Sequence, residues 1–118
     1  MRLMIVDDAS FMRVAIRRMI EKKDFEVVCE AEDGQDAVDK FKKYRPDVIT
    51  MDITMPNLSG IEALKEIKKI SSTVKVIMVS AMGQETLIRE AVMYGANSFL
   101  VKPFKEDKLI EVLESMKS

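Results

Sequence analysis

Histidine is missing from all 118 residues, tryptophan is missing too, and cysteine occurs once, at Cys29. Without an imidazole, the chain can supply no histidine general base, no histidine metal ligand and no histidine phosphocarrier. A single cysteine closes no internal disulfide, which suits a reducing compartment. As a small side chain in a short apolar run, Cys29 is expected to be a buried strand residue. No apolar run approaches the roughly 20 residues of a membrane span. Met1 leads within two residues into an apolar run with no signal-peptide layout, so a cytoplasmic protein without membrane insertion is expected. Neither sign of charge is in excess: 19 Lys and Arg stand against 20 Asp and Glu, a net charge of −1. That balance excludes a strongly basic nucleic-acid binder unless the charges are segregated in space.

What is present describes one globular unit. With 47% apolar and 33% charged residues, the chain can build a core and keep a solvated surface. A domain of this size hides roughly two thirds of its unfolded-chain surface, enough to fold without disulfides or a structural metal. No linker, repeat or low-complexity stretch interrupts it, so residues 1–118 are expected to form a single domain.

Short apolar runs alternate with segments of helical period. Leu3 to Val6, Val27 to Cys29, Val48 to Met51, Val74 to Val79 and Phe99 to Val101 read as five strands. Five one-sided helices lie between and after them. Their expected buried faces are Phe11, Ala15 and Met19; Ala37, Val38, Phe41 and Tyr44; Ile61, Leu64 and Ile67; Leu87, Ile88, Ala91 and Val92; and Leu109, Val112, Leu113 and Met116. Ser59 with Glu62, and more weakly Asp33 with Asp36, have the spacing of a capping box. Gly95 falls where the fourth helix needs a left-handed terminating residue, and Pro46 precedes the third strand. Strict alternation with helix-length crossovers predicts an α/β fold, (βα)5, with a doubly wound parallel sheet of five strands. The second strand alternates, with Phe25, Val27 and Cys29 on one side and Glu26, Val28 and Glu30 on the other, as an edge strand would.

The carboxyl ends of parallel strands share one rim, where such folds bind ligands. Strand one ends in Asp7 and Asp8, strand three in Asp52 and then Thr54, strand four in Ser80, and strand five in Lys102 and Pro103. Each has an ordinary explanation taken alone: Asp8 or Ser80 as a helix cap, Lys102 as a snorkelling surface residue, Phe99 as a core aromatic. Together they put three carboxylates, a hydroxyl and an ammonium on one rim. At about 5 Å and an effective dielectric near 20, each carboxylate pair repels by roughly 3 kcal/mol, more than one lysine offsets. Hard oxygen ligands favour Mg²⁺, with Mn²⁺ as a substitute. A divalent cation beside an ammonium and a hydroxyl is equipment for handling a phosphoryl group. The turn Asp7-Asp8-Ala9-Ser10-Phe11 is no glycine-rich phosphate loop. With no histidine anywhere and no cysteine on the rim, the available nucleophile is a carboxylate, and Asp52, alone on a central strand, is the best placed.

Four tracts carry a family resemblance: M-I-V-D-D-A-S-F-M-R at residues 4–13, D-V-I-T-M-D-I-T-M-P at 47–56, V-S-A-M-G-Q at 79–84 and G-A-N-S-F-L-V-K-P-F at 95–104. In this order and spacing they resemble the response-regulator receiver domains over the whole chain, most closely the single-domain chemotaxis members. The resemblance implies the flavodoxin-like strand order 2-1-3-4-5. It implies that Asp52 takes a phosphoryl group from the phosphohistidine of a partner histidine kinase. Mg²⁺ would be held by Asp7, Asp8, Asp52 and the backbone carbonyl of Thr54. Lys102 would pair with the phosphoryl oxygens, its bond to Pro103 being typically cis in the family.

The switch implied is Ser80 moving toward the phosphoryl group, with Phe99 swinging inward behind it. Thr54 and Met82 lie where relatives tune water access and hence phosphoryl lifetime. The implied output face, on the fourth helix, fifth strand and fifth helix, would include Met93, Tyr94, Lys105 and Ile110. Its implied partner is a flagellar motor switch protein, engaged as a peptide helix; a phosphatase is a further implied partner, and the chain is expected to be monomeric. Such a protein signals and catalyses only its own phosphorylation and dephosphorylation. Two other readings compete: a stand-alone relay intermediate or receiver of a larger regulator, and an aspartyl-nucleophile phosphohydrolase. The last usually carries a second Asp where this chain has Thr54.

Overall fold

The computed structural model describes residues 1–117 and contains five strands and five helices in strict alternation. They are β1 (Arg2–Val6), α1 (Ser10–Ile20), β2 (Glu26–Ala31), α2 (Gly34–Tyr44), β3 (Val48–Asp52), α3 (Gly60–Ile70), β4 (Lys75–Ser80), α4 (Glu85–Met93), β5 (Ser98–Val101) and α5 (Glu106–Ser115). All strand pairs are parallel, and the sheet order is β2-β1-β3-β4-β5. The α/β architecture and the strand order are therefore those expected.

Alternate residues of the central strands face opposite ways, so the sheet separates two cores. Met4, Val6, Ile49, Met51, Val76 and Met78 face Phe41, Leu64 and Ile67 of α2 and α3. Leu3, Ile5, Val48, Ile77 and Val79 face Ile16 and Ile20 of α1 and Leu109 and Leu113 of α5. β3, in the middle, is buried along its whole length. That is why a carboxylate at its end is both fixed in place and poorly hydrated.

The caps follow the spacing. Ser59 accepts a hydrogen bond from the Glu62 amide at 3.2 Å, and Asp33 from the Asp36 amide at 2.7 Å. Gly95, at φ +102°, takes the left-handed conformation just beyond α4, where a Cβ would be strained. Among the described residues no helix is long and apolar enough to cross a membrane.

Four sequence expectations need correction. The buried face of α1 is not Phe11, Ala15 and Met19: Ile16 and Ile20 are its buried residues, and Phe11 is 73% exposed. Two apolar stripes lie side by side on this helix, and the one that meets β1 and α5 carries the isoleucines, while Phe11 at the first turn is left exposed near the strand ends that carry Asp7 and Asp8. Cys29 is half-buried, since it lies on an edge strand, and it does not share a face with Val27. The pairing runs Leu3 with Val27 and Met4 with Cys29, leaving Val28 as an extra residue in a β-bulge. A bulge resets the alternation, so Val27 packs with the α1/α5 core and Cys29 with the α2/α3 core. Val92 is exposed rather than part of the α4 core face. Phe99 is no core aromatic: β5 is the other edge, only its Leu100 is buried, and Phe99 is 46% exposed.

Candidate functional site

The strand ends bring Asp7, Asp8 and Asp52 together, one carboxylate oxygen from each lying within 4.8 Å of the others. Asp7 and Asp52 are buried and Asp8 is exposed, so the cluster forms a shallow site with one open side. Asp7 is held by its surroundings: its Oδ1 accepts from the Ala9 amide at 2.9 Å, and Arg13 donates to its backbone carbonyl at 2.6 Å. Ala9, not Asp8, is the N-cap residue of α1. The capping explanation for Asp8 therefore falls away, and no cap holds its carboxylate.

Lys102 reaches over the cluster from the end of β5. Its Nζ donates to Asp7 Oδ2 at 3.1 Å and lies 3.6 Å from Asp52 Oδ2. The peptide between Lys102 and Pro103 is cis, and the Lys102 amide donates to the Ser80 carbonyl at 2.8 Å, tying the ends of β4 and β5. Burial alone would lower the Lys102 ammonium's pKa, but the hydrogen bond to Asp7 and the charges of Asp52 and Asp7 outweigh it and raise it. Snorkelling does not describe this side chain.

Asp52 has the opposite problem. Burial pushes its carboxyl up to about 6; Lys102 pulls it down, Asp7 and Asp8 push it up again, and a hydrogen bond from the Thr54 amide lowers it. Burial, reinforced by the two neighbouring carboxylates, thus outweighs the single ammonium. A divalent cation held by hard oxygens fits this donor set, and the cluster could take one.

Ser80 is fully buried, and among the described residues its Oγ has no hydrogen-bond partner. It caps nothing, because α4 begins five residues later with Gln84 at its N-cap. A buried hydroxyl left unpaired costs about 1–3 kcal/mol, so this one is available to a new acceptor without losing an old bond. Phe99, on the neighbouring strand, points outward. Thr54 and Met82 are both exposed, on the loops after β3 and β4 respectively.

Sequence reasoning passed over two residues. Gln84 joins those loops: its Oε1 accepts from the Ala81 amide at 2.7 Å and its Nε2 donates to Thr54 Oγ1 at 3.0 Å. The only signal was its place at the end of the V-S-A-M-G-Q tract. Gly60, at the start of α3, has its backbone pressed against that of Asp52, a Cβ built on it lying 2.0 Å from the Asp52 carbonyl oxygen. Its position after the capping Ser59 gave no hint of this contact.

The comparisons with known proteins agree with this geometry. A family model described as the response regulator receiver domain matches residues 3–114. The chain is 52% identical over 112 residues to the chemotaxis protein CheY of Bacillus subtilis, an alignment covering 95% of this chain and 93% of that protein. With the CheY of Thermotoga maritima the identity is 48% over 115 residues, covering 98% and 96%. Among solved structures, the CheX–CheY–BeF3–Mg²⁺ complex of Borrelia burgdorferi is similar at a TM-score of 0.94 and 34% identity, covering 99% of this chain and 89% of that one.

Proposed function

The chain belongs to the response regulator receiver domains, and from that premise we propose that it is a phosphorylation-activated chemotaxis switch, a single domain over residues 1–118. The observation that carries this reading is the meeting of Asp7, Asp8, Asp52 and Lys102 beside a buried hydroxyl with no partner.

In this reading Asp52 is the phosphoacceptor. Its carboxylate oxygen attacks the phosphorus of a phosphohistidine on a partner kinase; the P–O bond forms, the N–P bond breaks, and the electron pair stays on the departing imidazole. The absence of histidine from this chain is then expected, because the imidazole belongs to the donor. Asp7, Asp8, Asp52 and the Thr54 carbonyl would hold Mg²⁺, which supplies positive charge to the phosphoryl oxygens. Lys102, already 3.6 Å from Asp52 Oδ2, moves its ammonium onto a phosphoryl oxygen and keeps the group oriented. The exposed position of Thr54 leaves the site open to water on that side, consistent with hydrolysis of the acyl phosphate and a limited lifetime.

Ser80 would then donate to the phosphoryl group, and Phe99 would turn inward behind it. Driving such an equilibrium from 1:99 to 99:1 takes about 5.5 kcal/mol, and two new hydrogen bonds to a charged group supply about 3 to 6. Outward Phe99 and unpaired Ser80 together describe the resting arrangement. Phe99 also lines an apolar groove of about 760 Å³ between α4 and β5, with Ile88, Val92, Met93 and Val101. Its inward turn would reshape that groove, which we assign as the output surface for an amphipathic peptide of the flagellar motor switch protein. Met93 is exposed along it; Tyr94, just beyond α4, is exposed outside the groove with its ring under Lys65 of α3, Lys105 is exposed at the start of α5, and Ile110 is half-buried. A phenylalanine, having no hydroxyl, contributes only apolar contact to such a partner.

Beryllofluoride with Mg²⁺, a combination present in the Borrelia burgdorferi complex, should mimic the phosphoryl group here. Affinity for an N-terminal peptide of the motor switch protein, measured calorimetrically, is expected to rise at least about tenfold when it is added, a coupling of the usual allosteric size. An unchanged affinity would count against the motor reading and favour a relay role.

A further inference from the structure

Gln84 is placed to cap α4 but does not. It stands at the N-cap position with φ −105° and ψ 29°, and its side chain makes no capping bond. The carboxamide turns back across the loop, taking the Ala81 amide at 2.7 Å and the Thr54 hydroxyl at 3.0 Å. The turn that allows this contains Gly83 at φ +87°, with open space where a Cβ would stand. The left-handed backbone, not crowding, is what calls for glycine there. Both donor and acceptor functions of one amide are thus used to fasten the loop after β4 to the loop after β3.

The fastened peptide is the one that the proposed switch has to move. Ala81 follows Ser80 directly, so any movement of the Ser80 backbone toward Asp52, beyond a rotation of its side chain, displaces the Ser80–Ala81 peptide whose N–H is bonded to Gln84. Thr54, the other anchor, is two residues past Asp52. The bridge is closed in the same arrangement in which Ser80 Oγ has no partner and Phe99 is turned outward. We propose that the Gln84 carboxamide is a latch: a positioning residue that holds the loop after β4 in its resting place and so sets how readily a phosphoryl group on Asp52 captures Ser80. This rests on the phosphoacceptor reading above and adds to it the residue that biases its equilibrium. A ligand shifts such an equilibrium only by its differential interaction with the two states, and bonds made in the resting state alone oppose the shift.

Titration with beryllofluoride at saturating Mg²⁺, followed by the amide signals of Ser80, Ala81 and Phe99, tests the latch. Gln84→Met keeps the length of the side chain and removes both bonds. It is expected to lower the half-saturating beryllofluoride concentration about fivefold, the equivalent of one ordinary net hydrogen bond, and to speed hydrogen exchange at the Ala81 amide. Thr54→Val should give a smaller shift in the same direction, and Gln84→Met added to it should have less effect than in the natural chain, because the two residues share a bond. Conversion of both the natural chain and Gln84→Met at the same concentration would overturn the latch while leaving the phosphoacceptor reading intact. A natural chain that takes up no beryllofluoride would overturn both.

Discussion

Asp52→Asn is expected to make the metal-free protein more stable at neutral pH, although it removes one of the partners of Lys102. Burial and the charges of Asp7 and Asp8 raise the Asp52 carboxyl from 3.8 to about 6 despite Lys102. Between those values the folded state holds a proton that the unfolded chain has released. Stability therefore falls as pH rises through that window and stays lower above it. The shift corresponds to about 3 kcal/mol, and partial solvation of the open site trims this to about 1–2 kcal/mol. Asparagine has no charge to bury. Denaturant titrations in EDTA should thus show the variant ahead of the natural chain above about pH 6 and level with it below about pH 4. Added Mg²⁺ should stabilise the natural chain more than the variant, because only the former keeps all three carboxylates. A variant less stable than the natural chain at pH 7 would mean that the pairing with Lys102 outweighs the repulsion.

The other large effect belongs to Gly60→Ala. A Cβ there would lie 2.0 Å from the Asp52 carbonyl oxygen and 2.8 Å from the Ile53 Cα. Both neighbours are backbone, so no rotamer change relieves the overlap, and α3 has to move off the end of β3. Overpacking of this kind costs about 3 kcal/mol or more, which in a domain of this size lowers Tm by roughly 10 °C or more. The same shift would displace Asp52 from Asp7 and weaken Mg²⁺ binding beyond the loss of stability. Gly83→Ala is the informative control. It meets nothing within 4 Å and incurs only the strain of φ +87°, about 1–2 kcal/mol.

Much of the site was legible because strand ends in a parallel sheet share a rim. Once Leu3–Val6 and Val48–Met51 read as buried strands, Asp7, Asp8 and Asp52 fell on one rim, and Ser80 and Lys102 followed from the next two; that they meet depends on β1 and β3 being neighbours. Strand order was a different matter. Hydropathy marks β2 as an edge, but only the family resemblance supplied 2-1-3-4-5. The errors have a common physical source in contacts that no periodicity encodes. The bulge at Val28 turned Cys29 to the opposite face from Val27, and a β-bulge in an alternating edge strand leaves no mark in its pattern. The exposure of Phe99 reflects where the sheet ends, and that of Phe11 which stripe of α1 meets the sheet; both depend on the tertiary arrangement rather than on local sequence. Gln84 acts through a bond between loops 30 residues apart, and Gly60 through the close approach of the start of α3 to the end of β3, where residue type alone says little.

Asp52 is expected to be the one group that accepts phosphate. Incubation of the purified chain with acetyl phosphate and Mg²⁺, followed by intact-mass measurement, tests this most directly. One phosphoryl group per chain is expected, stable in acid and lost in base as an acyl phosphate should be, and none on Asp52→Asn. The same modification persisting on Asp52→Asn, with the same base lability, would contradict it.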